Sequence, residues 1–297
     1  MTKILLTGKI GQVGWELQRT LATLGQVIAP DRRGMDLGDP DSIRAAIRAC
    51  SPQIIVNAAA YTAVDQAESE PDLALAINGA APGIMAEEAK RLGALLVHYS
   101  TDYVFDGAKS GPYTEDDQPN PLNVYGSSKL AGERVIAASG ARYLIFRTSW
   151  VYGARGGNFA KTMLRLGLER DSLKVIDDQT GAPTGADLLA DVTAHAIRTV
   201  RQHPEISGLY HLVASGETSW HGYASFVLDF ARRAGVPLKV AHDAIQPVPT
   251  SAFPTPAKRP HNSRLNTEKL QNTFDLHLPH WQAGVERMLT EILDKKS

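Results

Sequence analysis

A short apolar run, a glycine-rich turn and a helix stand at the head of this chain, and no other stretch limits its fold as much. Lys3-Ile4-Leu5-Leu6-Thr7 reads as a strand, and Gly8-Lys9-Ile10-Gly11-Gln12-Val13-Gly14 follows at once. Trp15 to Leu21 then reads as a helix, with Leu17 and Leu21 four apart on one face. In that context glycines permit a tight turn, close approach of the backbone to a pyrophosphate, and close helix packing. The helix N-terminus offers free N–H groups to the phosphates. The spacing is Gly-x-x-Gly-x-x-Gly rather than Gly-x-Gly-x-x-Gly, so the flanking strand and helix carry the argument.

Gln26-Val27-Ile28-Ala29 reads as a second strand, with Asp31 at its end. An acid there accepts hydrogen bonds from the adenosine ribose hydroxyls and favours NAD. Arg32 and Arg33 follow, and a guanidinium there can hold a 2′-phosphate and favour NADP. A solvated loop is the other reading of the arginines. The conflict predicts use of both NADH and NADPH.

Gln53 to Asn57, Ala94 to Tyr99 and Tyr143 to Arg147 are continuous apolar runs, as in parallel strands buried on both faces. Helices read at 41–50, 67–92 and 121–138. Pro82 should kink or restart the second, and Pro121 suits the first turn of the third. The alternation predicts an α/β fold, a doubly wound, mostly parallel Rossmann sheet with ligands at the carboxyl ends of its strands. Past residue 150 the segments shorten and become richer in Gly and Pro. Helices read at 185–202, 220–235, 266–273 and 279–295, and a strand at 209–213. Residues 245–262 hold five prolines and read as an extended arm, either a substrate lid or an interface element. The expected organisation is a dinucleotide-binding domain over 1–149, completed by segments from 185–215. Residues 150–297 then form mainly a smaller, interleaved substrate-binding lobe.

The charge balance of 31 Lys+Arg against 32 Asp+Glu gives no global drive toward nucleic acid or membrane. Cys50 is the single cysteine, so no intrachain disulfide is possible, and it reads as a small packing residue. No stretch of about 18 apolar residues offers a membrane span. The N-terminus begins directly with a strand and shows no signal peptide, so the expected location is cytoplasmic.

Tyr125 and Lys129 carry the candidate chemistry. Four apart on a helix, they share a face roughly 6 Å apart along the axis. A lysine so placed favours the tyrosinate form of a phenol whose free pKa is about 10. Such a tyrosine can exchange a proton with a carbonyl or hydroxyl near neutral pH.

Gly8/Gly11/Gly14, Asp36-Leu37, Asn57-Ala58-Ala59-Ala60, Ser100-Thr101-Asp102 and Tyr125/Lys129 together resemble the extended short-chain dehydrogenase/reductase superfamily. Within it the chain is similar to the dTDP-4-dehydrorhamnose reductase family. The similar stretches are 11–17, 57–65, 99–105, 147–152, 178–184 and 259–265, distributed from head to tail. The resemblance implies reduction of the C4 ketone of dTDP-4-dehydro-6-deoxy-L-mannose to dTDP-L-rhamnose. That is the last step of dTDP-rhamnose biosynthesis and a contribution to lipopolysaccharide O-antigen.

The resemblance also implies roles. Tyr125 gives the proton, Thr101 donates a hydrogen bond to the same oxygen, and Lys129 holds the nicotinamide ribose. Gly8, Gly11, Gln12, Val13 and Gly14 line the pyrophosphate. Asp31, Asp36 and Leu37 surround the adenosine. Ala60, Tyr61, Thr62 and Tyr99 flank the cofactor. Asp102 and Trp150 contact the sugar nucleotide. The chemistry agrees, since ketone reduction needs a hydride donor, an acid and an oxyanion stabiliser, which NAD(P)H, Tyr125 and Thr101 supply. Asp102 as a structural acceptor and Trp150 as a core aromatic are the plainer alternatives. Arg259 and Arg264 can clamp a diphosphate or lie as a surface pair along the proline-rich arm. His98, His211 and His261 lack metal-ligand spacing, so no residue is assigned to a metal.

Some relatives are described as homodimers bridged by Mg²⁺ through helix carboxylates. The matching positions are Glu16, Glu291 and Asp187, the last a shorter side chain than expected. Three solvated carboxylates are the other reading. A sugar-nucleotide epimerase or 4,6-dehydratase is the competing enzyme. Dehydratases pair Thr with Asp-Glu, whereas this chain reads Thr101-Asp102-Tyr103. A non-catalytic dinucleotide-binding regulatory subunit is a further alternative, disfavoured by the intact Thr101, Tyr125 and Lys129.

Overall fold

The computed structural model describes residues 1–294. Its centre is a six-stranded sheet of β1 (Lys3–Thr7), β2 (Gln26–Ile28), β3 (Ile54–Asn57), β4 (Leu95–Thr101), β5 (Arg142–Thr148) and β6 (Gly208–His211). The order is β6-β5-β4-β3-β1-β2, and every pairing is parallel. β3 and β4 are buried along their whole length, which is why they read as unbroken apolar runs rather than alternating ones. From β1 the chain steps outward to β2 and then returns to the other side of β1 as β3. That reversal opens a crevice at the carboxyl ends of β1 and β3, where doubly wound sheets bind ligands.

Helices cover both faces. Gln12–Leu21 and Ala186–Gln202 bury Leu17, Leu21, Leu189 and Ile197 against one face. Pro40–Cys50 and Ala81–Leu92 bury Ile43, Ile47, Met85 and Ala89 against the other, and Cys50 packs in that core. A second apolar cluster joins helices Phe159–Glu169, Trp220–Arg233 and Trp281–Asp294 around Tyr223 and Trp281. The parallel pair Leu173–Ile176 and Ile245–Val248 completes it.

Some boundaries differ from the sequence reading. The helix expected over 67–92 is four pieces: Val64–Ala67, Pro71–Leu75, a π-helical turn Ala76–Ala80, and Ala81–Leu92. Pro82 follows closely on the π-helical turn in one unbroken helical run, so the helix is interrupted beside it, as a missing N–H and a bulky ring require. The helix expected from 121 starts at Val124, because Asn123 caps it by accepting from Gly126 N at 2.7 Å; Pro121 stays outside. The proline-rich arm opens on the extended strand Ile245–Val248 but is not wholly extended, since a tight turn Thr250–Ala252 follows. Its far end is tied to the chain through Asn123 Nδ2 to Lys258 O at 2.7 Å and Asn262 Nδ2 to Lys109 O at 2.7 Å. The last helix starts at Trp281, and residue 295 of the expected 279–295 helix lies outside the described residues.

Asn123 therefore caps the helix Val124–Ala138 and anchors the arm. Asn123→Ala is expected to cost about 1–2 kcal/mol. Differential scanning calorimetry should show a Tm lower by roughly 2–4 °C per kcal/mol; an unchanged Tm contradicts the assignment.

Candidate active site

The glycine turn forms one wall of the crevice. Gly8 has φ +74°, and a Cβ there would lie 2.7 Å from the Ala58 carbonyl carbon. Gly11 N donates to Gly8 O at 2.9 Å and closes the turn. No side chain caps the helix Gln12–Leu21, so its first N–H groups are open to an anion. Between this turn and the end of β2 lies a cavity of about 360 Å³ lined by Gly8, Lys9, Asp31, Asp36, Leu37 and Ala60, among others. The glycine cradle, the free helix end and the acid beyond β2 fit a dinucleotide.

Asp31 accepts from the backbone N–H of Arg33 at 3.0 Å and of Gly34 at 3.1 Å, both at Oδ1. The Gly38 N–H, aided by Arg32, holds the Asp36 carboxyl below its usual range. Gln12 faces the segment after β5, accepting from Asn158 Nδ2 at 3.1 Å. Tyr61 is fixed by Asn78, whose side chain accepts from Tyr61 N at 2.9 Å and donates to Tyr61 O at 3.0 Å. Asn78 also donates to Ser128 Oγ at 3.0 Å, tying this segment to the helix Val124–Ala138. Thr62 is exposed. The Tyr99 phenol turns away to Thr193 at 2.6 Å, and only its carbonyl reaches toward the site.

The helix Val124–Ala138 presents Tyr125 and Lys129 beneath the end of β4. Gly126 allows this approach, because a Cβ there would lie 2.1 Å from Tyr103 O. The Tyr125 ring meets Tyr103 edge-on at 5.8 Å. Tyr125 keeps part of its surface open, yet dense surroundings dominate its titration. Burial, and then the charge of Asp102, push the phenol up to about 12, against a hydrogen bond with Thr101 that lowers it.

The expectation that Lys129 favours tyrosinate is thus overturned. Lys129 is 2% exposed, and its Nζ turns to Tyr99 O at 2.6 Å and His98 Nε2 at 3.2 Å. Burial pulls it down to about 8, offset in part by Glu133. Tyr125 is consequently a neutral phenol through the physiological range.

Thr101 Oγ1 donates to Asp102 Oδ1 at 3.0 Å and accepts from Tyr103 N at 3.1 Å. Asp102 is 3% exposed. Burial pushes its carboxyl up to about 6, against hydrogen bonds from Ser263 and Thr101, and Oδ2 has no partner among the described residues. Trp150 has φ +48°, a strained conformation for a bulky residue, and stacks on Trp220 at 3.7 Å. Trp220 is held in turn by Gln179 at 3.0 Å.

Neither arginine of the arm is free to clamp a ligand in this arrangement. Arg259 binds Asp65 at 2.7 Å, and Arg264 is held by Asn262, Glu217 and Ser110 O. No group of three or more His, Cys, Asp or Glu among the described residues is placed to hold a metal. Glu16 pairs with Arg19 at 3.4 Å and Asp187 with Arg287. No described helix is long and apolar enough to cross a membrane. Sequence reasoning missed Asn78, Asn123, Ser263 and Trp220. A polar Asn78 inside an otherwise apolar helical stretch, and an Asn123 placed to cap the helix that follows, were the available signals.

A parallel sheet with a dinucleotide cradle at its switch point, and a Tyr-x-x-x-Lys helix beside it, defines an oxidoreductase of the short-chain dehydrogenase/reductase class. The RmlD substrate binding domain family matches residues 1–293. The chain is 57% identical over 293 residues to dTDP-4-dehydrorhamnose reductase of Escherichia coli (strain K12), covering 97% of each. It is 48% identical to that of Burkholderia thailandensis, covering 99% of this chain and all of the other. A solved dTDP-4-dehydrorhamnose reductase from Bacillus anthracis, in complex with NADP, superposes with a TM-score of 0.88 at 36% identity, over 98% of this chain and 100% of that one. An epimerase from Thermus thermophilus, at 18% identity and TM-score 0.78, shares the fold. The chain belongs to the dTDP-4-dehydrorhamnose reductase family.

Asp102 gives a pH test of this geometry. Its folded pKa of about 6 lies above the unfolded value, so its neutral form stabilises the fold below about pH 4, and that contribution is lost as pH rises through about 6. Asp102→Asn should match the wild type in stability near pH 4 and exceed it at pH 8 by on the order of 2–3 kcal/mol, read as a higher Tm at pH 8 only. Equal Tm at both values contradicts a buried, raised carboxyl.

Proposed function

We infer that this chain reduces the C4 ketone of dTDP-4-dehydro-6-deoxy-L-mannose to dTDP-L-rhamnose, using either NADPH or NADH. The observation that carries this reading is the Tyr125 phenol, kept protonated and hydrogen-bonded to Thr101, beside a buried Lys129. That set supplies an acid and a donor to one oxygen, which is what ketone reduction asks of a protein.

The nicotinamide cofactor, when bound, supplies the hydride to C4 of the sugar. Tyr125 transfers its proton to the developing alkoxide, so the carbonyl becomes an alcohol. Thr101 turns its hydroxyl from Asp102 to that oxygen and stabilises the charge before the proton arrives. Lys129, with one N–H on Tyr99 O and one on His98, has a third for the ribose hydroxyls. Asp31 has one carboxylate oxygen engaged by its own turn, and its other oxygen serves the adenosine ribose. Arg32, at the rim of the same cavity, and Arg33 next to it in the chain serve a 2′-phosphate. Trp150, braced on Trp220, forms the sugar-nucleotide wall.

Tyr103, which replaces the second acid of a dehydratase, has a phenol that burial pushes up further still, so it offers no carboxylate for eliminating water. The same reading takes the protein as a cytoplasmic homodimer. A Mg²⁺ bridge through Glu16 and Asp187 would have to displace Arg19 and Arg287.

In a coupled assay with enzymatically made dTDP-4-dehydro-6-deoxy-L-mannose, Tyr125→Phe should lower turnover by on the order of 10² or more while NADPH still binds. Near-normal turnover removes Tyr125 as the acid. Asp31→Ala deletes a ribose acceptor and leaves the two arginines, so the ratio of kcat/KM for NADPH over NADH should rise by about tenfold. An unchanged ratio refutes that assignment.

A further inference from the structure

A polar row crosses the apolar sheet at its carboxyl end. Thr7 on β1 pairs in register with Asn57 on β3, and Asn57 with His98 on β4. All three are at most 4% exposed. Thr7 Oγ1 lies 2.6 Å from Asn57 Oδ1, Asn57 Nδ2 lies 3.1 Å from His98 Nδ1, and His98 Nε2 lies 3.2 Å from Lys129 Nζ. Thr7 also accepts from Ala59 N at 3.3 Å and lines the cofactor cavity. The row therefore runs from the cofactor cradle to the lysine beneath the reacting groups.

Proton bookkeeping fixes its direction. An ammonium only donates, so His98 Nε2 must accept and Nδ1 must carry the ring proton. Nδ1 then donates to the amide oxygen of Asn57, and the amide nitrogen donates to Thr7. This direction requires the Asn57 amide oxygen to face His98 and its nitrogen to face Thr7; the opposite placement, in which the Thr7 hydroxyl donates to Asn57 Oδ1 at 2.6 Å, shares the same heavy-atom positions.

We propose that His98, as the neutral Nδ1–H tautomer, is a positioning residue for Lys129: it accepts one ammonium proton, is locked by Asn57 and Thr7, and leaves the third N–H aimed at the cofactor. The proposal rests on the reductase reading for its kinetic consequences but not for its tautomer. Burial and the neighbouring Lys129 charge hold the imidazole well below its usual range, so it stays neutral. The charged and titratable groups around Lys129 are Glu133 one helical turn on, which carries Arg147 at 2.7 Å, together with His98 of β4 and Tyr125 of its own helix.

The tests are a substitution pair and a spectrum. His98→Leu leaves a buried ammonium donor without its acceptor, so NADPH Kd should rise and kcat/KM should fall by about tenfold or more each. The basic limb of the pH profile should move to lower pH as the charged lysine loses support. His98→Gln, whose amide oxygen can accept the same proton, should restore most of the NADPH affinity. A merely structural histidine would lower Tm in both variants and leave Kd and the pH limb in place, which overturns the proposal. Should His98→Leu fail to fold, ¹⁵N NMR of the wild type below pH 7 decides. A protonated Nδ1 with an unprotonated Nε2 supports the proposal, and the reverse overturns it. Absence of turnover of the keto sugar by the wild type would instead count against the reductase reading, since Kd and tautomer are read without the sugar.

Discussion

The ammonium of Lys129 lies almost wholly out of water, 2.6 Å from the carbonyl oxygen of Tyr99, and the site is arranged around that contact. A buried charge is costly unless its donors are used. This one is held by a carbonyl at the end of β4, by an imidazole on the same strand, and electrostatically by Glu133. The contact pins the helix Val124–Ala138 to the sheet at a fixed height. Gly126, close under Tyr103 O, and Asn123, capping the helix, let it come that near. Tyr125 is thereby set beside Thr101, and the nicotinamide end of the crevice is set relative to the glycine turn.

The electrostatics follow from packing more than from pairing. Desolvation raises the Tyr125 phenol and the Asp102 carboxyl and lowers the Lys129 ammonium. A reductase benefits, because its tyrosine must hold a proton until negative charge appears on the substrate oxygen. A short buried carboxylate beside Tyr125 further disfavours the phenolate. The same surroundings that would hinder a general base at this position suit a general acid.

Much of this was legible in the residues themselves. The β1 strand, the glycine turn and its helix stand where the pattern puts them, because an apolar run followed by Gly8, Gly11 and Gly14 has few other solutions. The unbroken apolar runs of β3 and β4 are those of strands covered on both faces. The sense in which Lys129 acts was not legible. Helical spacing places it near Tyr125, but only tertiary structure shows its nitrogen bound to Tyr99 O. The π turn at Ala76–Ala80 was hidden for a related reason: Asn78-Gly79 weakens the helix locally, but the turn is stabilised by Asn78 bridging Tyr61 and Ser128, contacts 17 and 50 residues away in sequence. For the arginines of the arm the sequence left an anion clamp and a surface pair both open, and their main partners, Asp65 and Ser110 O, lie far along the chain.

The central claim is that a hydride reaches C4 of the keto sugar while Tyr125 supplies the proton on oxygen. NADPH deuterated at both C4 positions of the nicotinamide, incubated with the protein and dTDP-4-dehydro-6-deoxy-L-mannose, tests it most directly. NMR of the product should show one deuterium at C4 of dTDP-L-rhamnose, and a parallel reaction with unlabelled NADPH in D₂O should leave that carbon fully protonated. Solvent deuterium at C4, or cofactor label absent from it, would contradict the account.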